Sequence, residues 1–336
     1  MNGETVLVTG GASFIGSHLT EELVDKGANV RVADDLSSGE LENLDSVIDE
    51  IEFYEGNLLN REFTDKVTED IDRLFHLAAD HGGRGYISNY PANCATNMAL
   101  SNIVFDCAVE NGVEKITFAS SACTYPTDIQ EDKTPLREDM VSFDERGGAY
   151  ADEAYGWAKL MGERSLMAFE EQHDIDASIV RIFTAYGPRE NETHAIIALI
   201  AKAFAEKEPF EIWGDGTQTR NFTYVDDIVS ALILASENIT DATPVNAGIE
   251  RFVSINEVVD NVFDALDMEA PEKDYLTDKP VGVKHRAADT SRAEDLLGWE
   301  PEYTVEEGLR KTAEWYAENN DKSYVQDNLH ELLHER

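Results

Sequence analysis

The 336 residues include 27 Lys and Arg against 68 Asp and Glu, a formal charge of −41, with 42% hydrophobic residues. That length suits a nucleotide-binding domain plus a smaller second lobe, the apolar content argues against a disordered acidic chain, and the charge argues against nucleic acid as a partner. No apolar run approaches the ~20 residues that cross a bilayer, and the chain opens on an apolar run with no basic leader, so a cytoplasmic protein made for a salty medium is expected.

The first half alternates β-branched apolar runs with amphipathic stretches, the pattern of a doubly wound parallel α/β sheet covered on both faces. A first strand over 4–9 enters Gly10-Gly11-Ala12-Ser13-Phe14-Ile15-Gly16, a tight turn that opens a helix over 14–26. Gly10 permits the turn, Gly16 permits close helix–strand packing, and the N–H groups at Ser13, Phe14 and Ile15 face a pyrophosphate. Ser13 stands where a dinucleotide fingerprint usually has its middle glycine. The second strand, 29–34, ends in Asp34 and Asp35. Asp34 can accept both hydroxyls of an adenosine ribose and would repel a 2′-phosphate, which favours NAD; Asp35 is a second ligand or a loop cap.

A third strand, 51–56, leads to Asn57 and Leu58 beside the adenine and then to a helix over 61–69. The fourth, 72–78, ends in Leu77-Ala78-Ala79, small residues that lie against a cofactor or simply pack the core. A helix over 93–111, a strand over 115–120, a helix over 155–173 and a strand over 177–183 complete the series. Of the three cysteines, Cys94 and Cys107 read as small buried hydrophobes; none forms a disulfide framework or a metal site. After Tyr186-Gly187-Pro188 the elements shorten. A strand over 221–224 and a helix over 225–237 return to the first domain. The domains expected are therefore 1–183 plus 221–249 for the nucleotide, 184–220 plus 250–318 for the second lobe, and 319–336 as a charged tail, a frayed helix or packing arm.

In Tyr155-Gly156-Trp157-Ala158-Lys159 the tyrosine and lysine share one helix face. A phenol that ordinarily titrates near ~10 acts as a base near neutrality only beside an ammonium and a positively charged nicotinamide. Ser121, at the end of the fifth strand, offers a hydroxyl to the same alcohol.

Glycine turn, ribose aspartate, strand-end serine and Tyr/Lys helix occur in one order. They are joined by Trp213-Gly214-Asp215-Gly216-Thr217-Gln218-Thr219-Arg220-Asn221-Phe222, Val225-Asp226-Asp227, and Arg286 before Leu297-Gly298-Trp299. Over residues 4–318 the chain resembles the extended short-chain dehydrogenase/reductases, specifically their nucleotide-sugar epimerases and dehydratases. The resemblance implies a Rossmann-type NAD domain, Arg220 and Arg286 gripping a nucleotide diphosphate, and a homodimer packed through helices near 93–111 and 155–173.

Ser120-Ser121-Ala122-Cys123-Thr124-Tyr125-Pro126 offers no carboxylate for elimination. With Leu77-Ala78-Ala79-Asp80-His81-Gly82-Gly83-Arg84-Gly85-Tyr86-Ile87 it is similar to the GDP-mannose 3,5-epimerases. That similarity implies Gly82, Gly83 and Arg84 at the sugar nucleotide. It also makes Cys123 one half of an acid/base pair, with His194 where that family has its lysine; Thr184 stands where relatives have a substrate-binding asparagine. The expected reaction is oxidation at C4, proton exchange at C3 or C5, and reduction. A UDP-sugar 4-epimerase, which needs no chemistry at Cys123, and a catalytically silent nucleotide-binding regulator are the alternatives.

Overall fold

The computed structural model describes residues 1–141 and 151–333. One sheet of seven parallel strands runs in the spatial order Asp241–Ala247, Asp176–Ile182, Lys115–Ser121, Arg73–His76, Thr5–Thr9, Asn29–Asp34 and Glu52–Glu55. In register, Val6 pairs with Val30 on one side and Arg73 on the other. Side chains alternate across a strand, so Val6 and Val8 enter one apolar cluster while Leu7 enters a second. Helices Phe14–Asp25 and Val225–Asn238 cover the first face through Leu19, Leu23, Ile228 and Leu232. Helices Asn97–Glu110 and Glu153–His173 cover the other through Phe105, Ala108 and Leu166. Strand order reverses between Thr5–Thr9 and Arg73–His76, and a crevice opens beyond their carboxyl ends.

Three departures from the sequence reading have local causes. The fourth strand stops at His76 because the Leu77 and Ala78 N–H groups turn to the Thr9 hydroxyl, at 3.2 and 3.3 Å. The helix expected over 93–111 is two, Pro91–Ala95 and Asn97–Glu110, interrupted where the Thr96 hydroxyl donates to the Asn93 carbonyl at 2.6 Å. Thr223–Tyr224 pairs with Ala185–Tyr186 and not with the main sheet; the returning strand is Asp241–Ala247. Its Asp-Ala-Thr-Pro start lacks strand propensity, and the edge position tolerates Pro244.

In the remaining chain, Phe210–Trp213 pairs in parallel with Lys273–Leu276, and Thr219–Arg220 pairs antiparallel with Val253–Ser254. Helices Ala195–Phe204, Ile255–Ala265 and Val305–Asn319 bury Ile197, Val258 and Leu309 in the same cluster as Val6, so this part has no separate core. The charged tail is an ordered helix, Lys322–Leu332. Asp321 caps it by accepting the Tyr324 N–H at 2.8 Å, and Val325 and Leu329 are buried. Residues 334–336 of the expected tail lie outside the described residues. Among the described residues no helix is long and apolar enough to cross a membrane.

Candidate active site

The glycine turn behaves as its spacing requires. Gly10 adopts φ +73°, and a Cβ there would meet the Ala78 backbone at 2.9 Å. A Cβ on Gly16 would lie 2.0 Å from the Gly10 carbonyl, so only glycine lets the helix start this close to the strand. Ser13 donates its hydroxyl to that carbonyl at 2.5 Å and does not cap the helix, whose first turn contains no acidic residue. The helix N–H groups therefore remain available to an anion, which fits a dinucleotide pyrophosphate.

Asp34 accepts the Ala12 N–H at 3.0 Å and the Leu36 N–H at 2.9 Å, tying the glycine turn to the turn after the second strand; burial raises its pKa. Asp35 accepts from Ser37 N–H and from the Asn57 amide, at 3.1 and 3.2 Å, so it braces the turns after the second and third strands. Leu58 is only 4% exposed and packs with Leu7 and Val67 in the core. Ala78 packs against that same cluster, and Leu77 reaches the cavity; Ala79 follows them beyond the strand.

One cavity of about 1650 Å³ gathers most of the remaining candidates: Ser13, Phe14, Ile15, Leu77, Gly82, Gly83, Arg84, Ser121, Cys123, Tyr155, Lys159, Thr184, His194, Arg220 and Arg286. Tyr155 shares a hydrogen bond with Ser121, whose oxygen also accepts the Cys123 N–H at 3.1 Å. A Cβ on Gly156 would lie 2.2 Å from the Cys123 carbonyl, so the Glu153–His173 helix is pressed against this turn. Lys159 donates to the Ala119 carbonyl at 2.7 Å, and its ammonium lies 5.8 Å from the centre of the Tyr155 ring. Burial pulls Lys159 down to about 8 and pushes Tyr155 far above its ordinary value.

Beneath this turn lies a buried ion pair. Arg181 donates to Glu163 at 2.9 and 2.7 Å in a two-point fork, and Ser120 also donates to that carboxylate. The network fixes the end of the fifth strand from below.

Three arginines converge on the opposite side of Cys123. Arg286 donates to the Cys123 sulfur at 3.6 Å, to Asp152 at 3.0 Å and to Gln130 at 2.7 Å. Arg84 donates to Asp152 at 2.9 Å and to Glu153 at 2.5 Å, while its buried Nε has no partner among the described residues. Burial acts to raise Asp152, but Arg286 and Arg84 outweigh it and hold the carboxyl below its usual value. Burial, then repulsion from Arg286, pulls Arg220 down to about 9; among the described residues its donors meet the Thr219 and Val281 carbonyls. Three arginines facing two carboxylates in an otherwise acidic chain leave a local excess of positive charge that suits an anion such as a diphosphate.

His194 precedes the Ala195–Phe204 helix, with Nδ1 3.3 Å from Glu190 Oε1. Its ring stands edge-on to His81 at 5.7 Å, and His81 lies 5.9 Å from the Tyr155 ring. Thr184 lines the cavity, and its carbonyl accepts the Thr223 N–H at 3.0 Å.

Sequence reasoning did not assign roles to His81, Asp152 and Glu190. Asp152 lies three residues before Tyr155, a usable signal. Nothing marked Glu190 among 68 acidic residues.

A dinucleotide site at the switch point of a doubly wound sheet, with Tyr, Lys and Ser converging beside it and an arginine-lined anion site, defines an oxidoreductase-type enzyme for a phosphorylated substrate. The family model described as the NAD dependent epimerase/dehydratase family matches residues 6–248, and the chain belongs to that family. It is 33% identical over 322 residues to GDP-mannose 3,5-epimerase of Arabidopsis thaliana, covering 94% of this chain and 83% of the relative. It is 31% identical to UDP-glucuronate 4-epimerase of Thermodesulfobacterium geofontis, covering 93% and 96% of the two chains. The structure of UDP-glucuronic acid 4-epimerase from Bacillus cereus with UDP-glucuronic acid and NAD matches at TM-score 0.83 and 27% identity, over 94% of this chain and all of that one (100%). The protein is an NAD-dependent nucleotide-sugar epimerase.

Proposed function

We propose that this epimerase exchanges protons at the carbons flanking a transient 4-ketone, in the manner of the GDP-mannose 3,5-epimerases. The observation that carries the reading is Cys123: its thiol faces the cavity beside Tyr155 and receives a hydrogen bond from Arg286. A 4-epimerase that only inverts C4 has no use for a thiol there.

NAD, when bound, supplies the reversible hydride acceptor. Tyr155 takes the proton of the C4 hydroxyl, and Ser121, already hydrogen-bonded to Tyr155, orients that alcohol. Lys159 contributes positive charge from below. Arg220, Arg84 and Arg286 hold the nucleotide diphosphate, and Gly82 and Gly83 let that loop approach it. Cys123 and His194 then remove and return a proton at C3 or C5, which the ketone has acidified.

The second reading, a UDP-sugar 4-epimerase, draws on the relatives named for UDP-sugars at comparable identity. Turnover of GDP-mannose in heavy water separates the two. Deuterium at C3 or C5, lost in Cys123→Ser, supports proton exchange; inversion at C4 of UDP-glucose without label supports the second reading.

Met98, Trp157 and Met161 are exposed on the Asn97–Glu110 and Glu153–His173 helices, at 36%, 37% and 40%. A second copy packed on these helices would cover them. Light scattering is expected to give a dimer for the wild type and a monomer for Met161→Glu. The acid excess fits a cytoplasm of high ionic strength.

A further inference from the structure

We propose that Glu190 is the positioning residue of the proton-exchange step, fixing which nitrogen of His194 carries hydrogen and stabilising the ring when it becomes protonated. This rests on the assignment of His194 as an acid/base group.

The local geometry turns Glu190 inward. Arg189 adopts φ +69°, and its guanidinium is held by Glu21 at 2.7 and 2.9 Å and by Ser17 at 3.2 Å, on the helix that begins the cofactor site. With Arg189 so anchored, the Glu190 side chain lies in the cavity wall at 6% exposure. Its Oε1 faces His194 Nδ1 at 3.3 Å, and its Oε2 is buried with no hydrogen-bond partner among the described residues. The other flank of His194 is equally fixed. A Cβ on Gly83 would lie 2.0 Å from the Thr193 carbonyl, so the loop bearing His81 closes directly on this turn.

An imidazole takes a proton from carbon only with a free lone pair facing the substrate. Burial holds Glu190 well above the usual carboxylate range, so the resting acid keeps its proton on the unpartnered Oε2, Oε1 faces Nδ1 as an acceptor, and the ring hydrogen belongs on Nδ1, which leaves Nε2 as the base. The C–H bond beside the ketone breaks, its electron pair moves onto the carbonyl oxygen, and its proton joins Nε2. The imidazolium then donates from Nδ1 to Glu190 Oε1, and the positive ring in turn favours ionisation of that carboxyl, which offsets the burial that otherwise disfavours both charges. The proton returns to carbon by the reverse path or is supplied from Cys123 to the opposite outcome.

The test compares the wild type with Glu190→Gln, Glu190→Asp and Glu190→Leu, using GDP-mannose in heavy water. Glu190→Gln keeps the shape but cannot ionise. Deuterium incorporation is expected to fall roughly tenfold or more, while reduction of bound NAD on adding GDP-mannose stays unchanged and Glu190→Asp recovers part of the loss. Long-range proton–nitrogen spectra of the substrate-free protein are expected to show Nδ1–H on His194 in the wild type and loss of that tautomer in Glu190→Leu. Wild-type incorporation in Glu190→Gln while His194→Gln abolishes it, or a bare Nδ1 in the wild-type spectrum, overturns the proposal. Incorporation that survives both His194→Gln and Cys123→Ser overturns the acid/base assignment itself, whatever the spectra show.

Discussion

Tyr155 cannot ionise on the strength of Lys159 alone. The ammonium meets the Ala119 carbonyl and the Phe118 ring, not the phenolic oxygen, and burial dominates the phenol. The positive nicotinamide and the hydrogen bond from Ser121 therefore have to favour the phenolate. Lys159 is itself lowered to about 8, so its charge is present below that pH and lost above it. Turnover measured against pH is expected to decline above about 8; a rate that stays flat to pH ~10, where an ordinary lysine titrates, would show that this ammonium is not needed. The Tyr/Lys pair, Asp34 and the glycine turn were legible because each demands a residue type at a set spacing. Arg286 was only half legible: its sequence context pointed to a diphosphate, yet its hydrogen bond to Cys123 comes from a chain separation of 163 residues that spacing cannot reveal. Glu163 and Glu190 were hidden for another reason, since inward carboxylates look like any others in so acidic a chain.

At the scale of elements, the catalytic geometry is set by how closely the Glu153–His173 helix lies on the turn that follows the fifth strand. Gly156 allows that approach against the Cys123 carbonyl, and Gly162 allows it against the Phe118 ring, where a Cβ would lie 2.7 Å away. In Gly156→Ala the methyl group has a backbone oxygen in its place, which cannot swing aside as a side chain would. The helix must lift, separating Tyr155 from Ser121. We expect destabilisation of about 1–3 kcal/mol in urea unfolding and a loss of turnover of about 100-fold or more; wild-type activity in this variant would mean that the helix has slack. The six strands and the flanking helices of the first half were readable from periodicity. The strand Asp241–Ala247 was not, because an edge position asks little of its sequence and Pro244 argued against it.

For the molecule as a whole, the charge of −41 is spread over a surface with few cations, some of them already paired. Arg61 already bridges Asp106 and Glu110, and Arg251 bridges Glu257 and Glu306. The surplus carboxylates therefore repel one another with nothing but solvent ions to screen them, and the screening length shortens from about 30 Å at 0.01 M salt to about 3 Å at 1 M. The melting temperature is expected to rise as potassium chloride is increased over that range; a melting temperature indifferent to salt would show that the acidic coat serves some other end. The change of rhythm after Pro188 suggested a second lobe, but the helices beyond it share the core of the first part. A core shared by Val6, Val258 and Leu309 is a product of packing between distant segments.

The final helix brings Leu332 and Leu333 to the wall of the same cavity that contains Tyr155. A bulky substitution at Leu332 or Leu333 would consequently crowd the reaction chamber, hinder entry of a sugar nucleotide and mimic a defective enzyme. The residues before Thr5 feed the amino side of Thr5–Thr9, away from the crevice, so a purification handle attached there leaves the chamber clear.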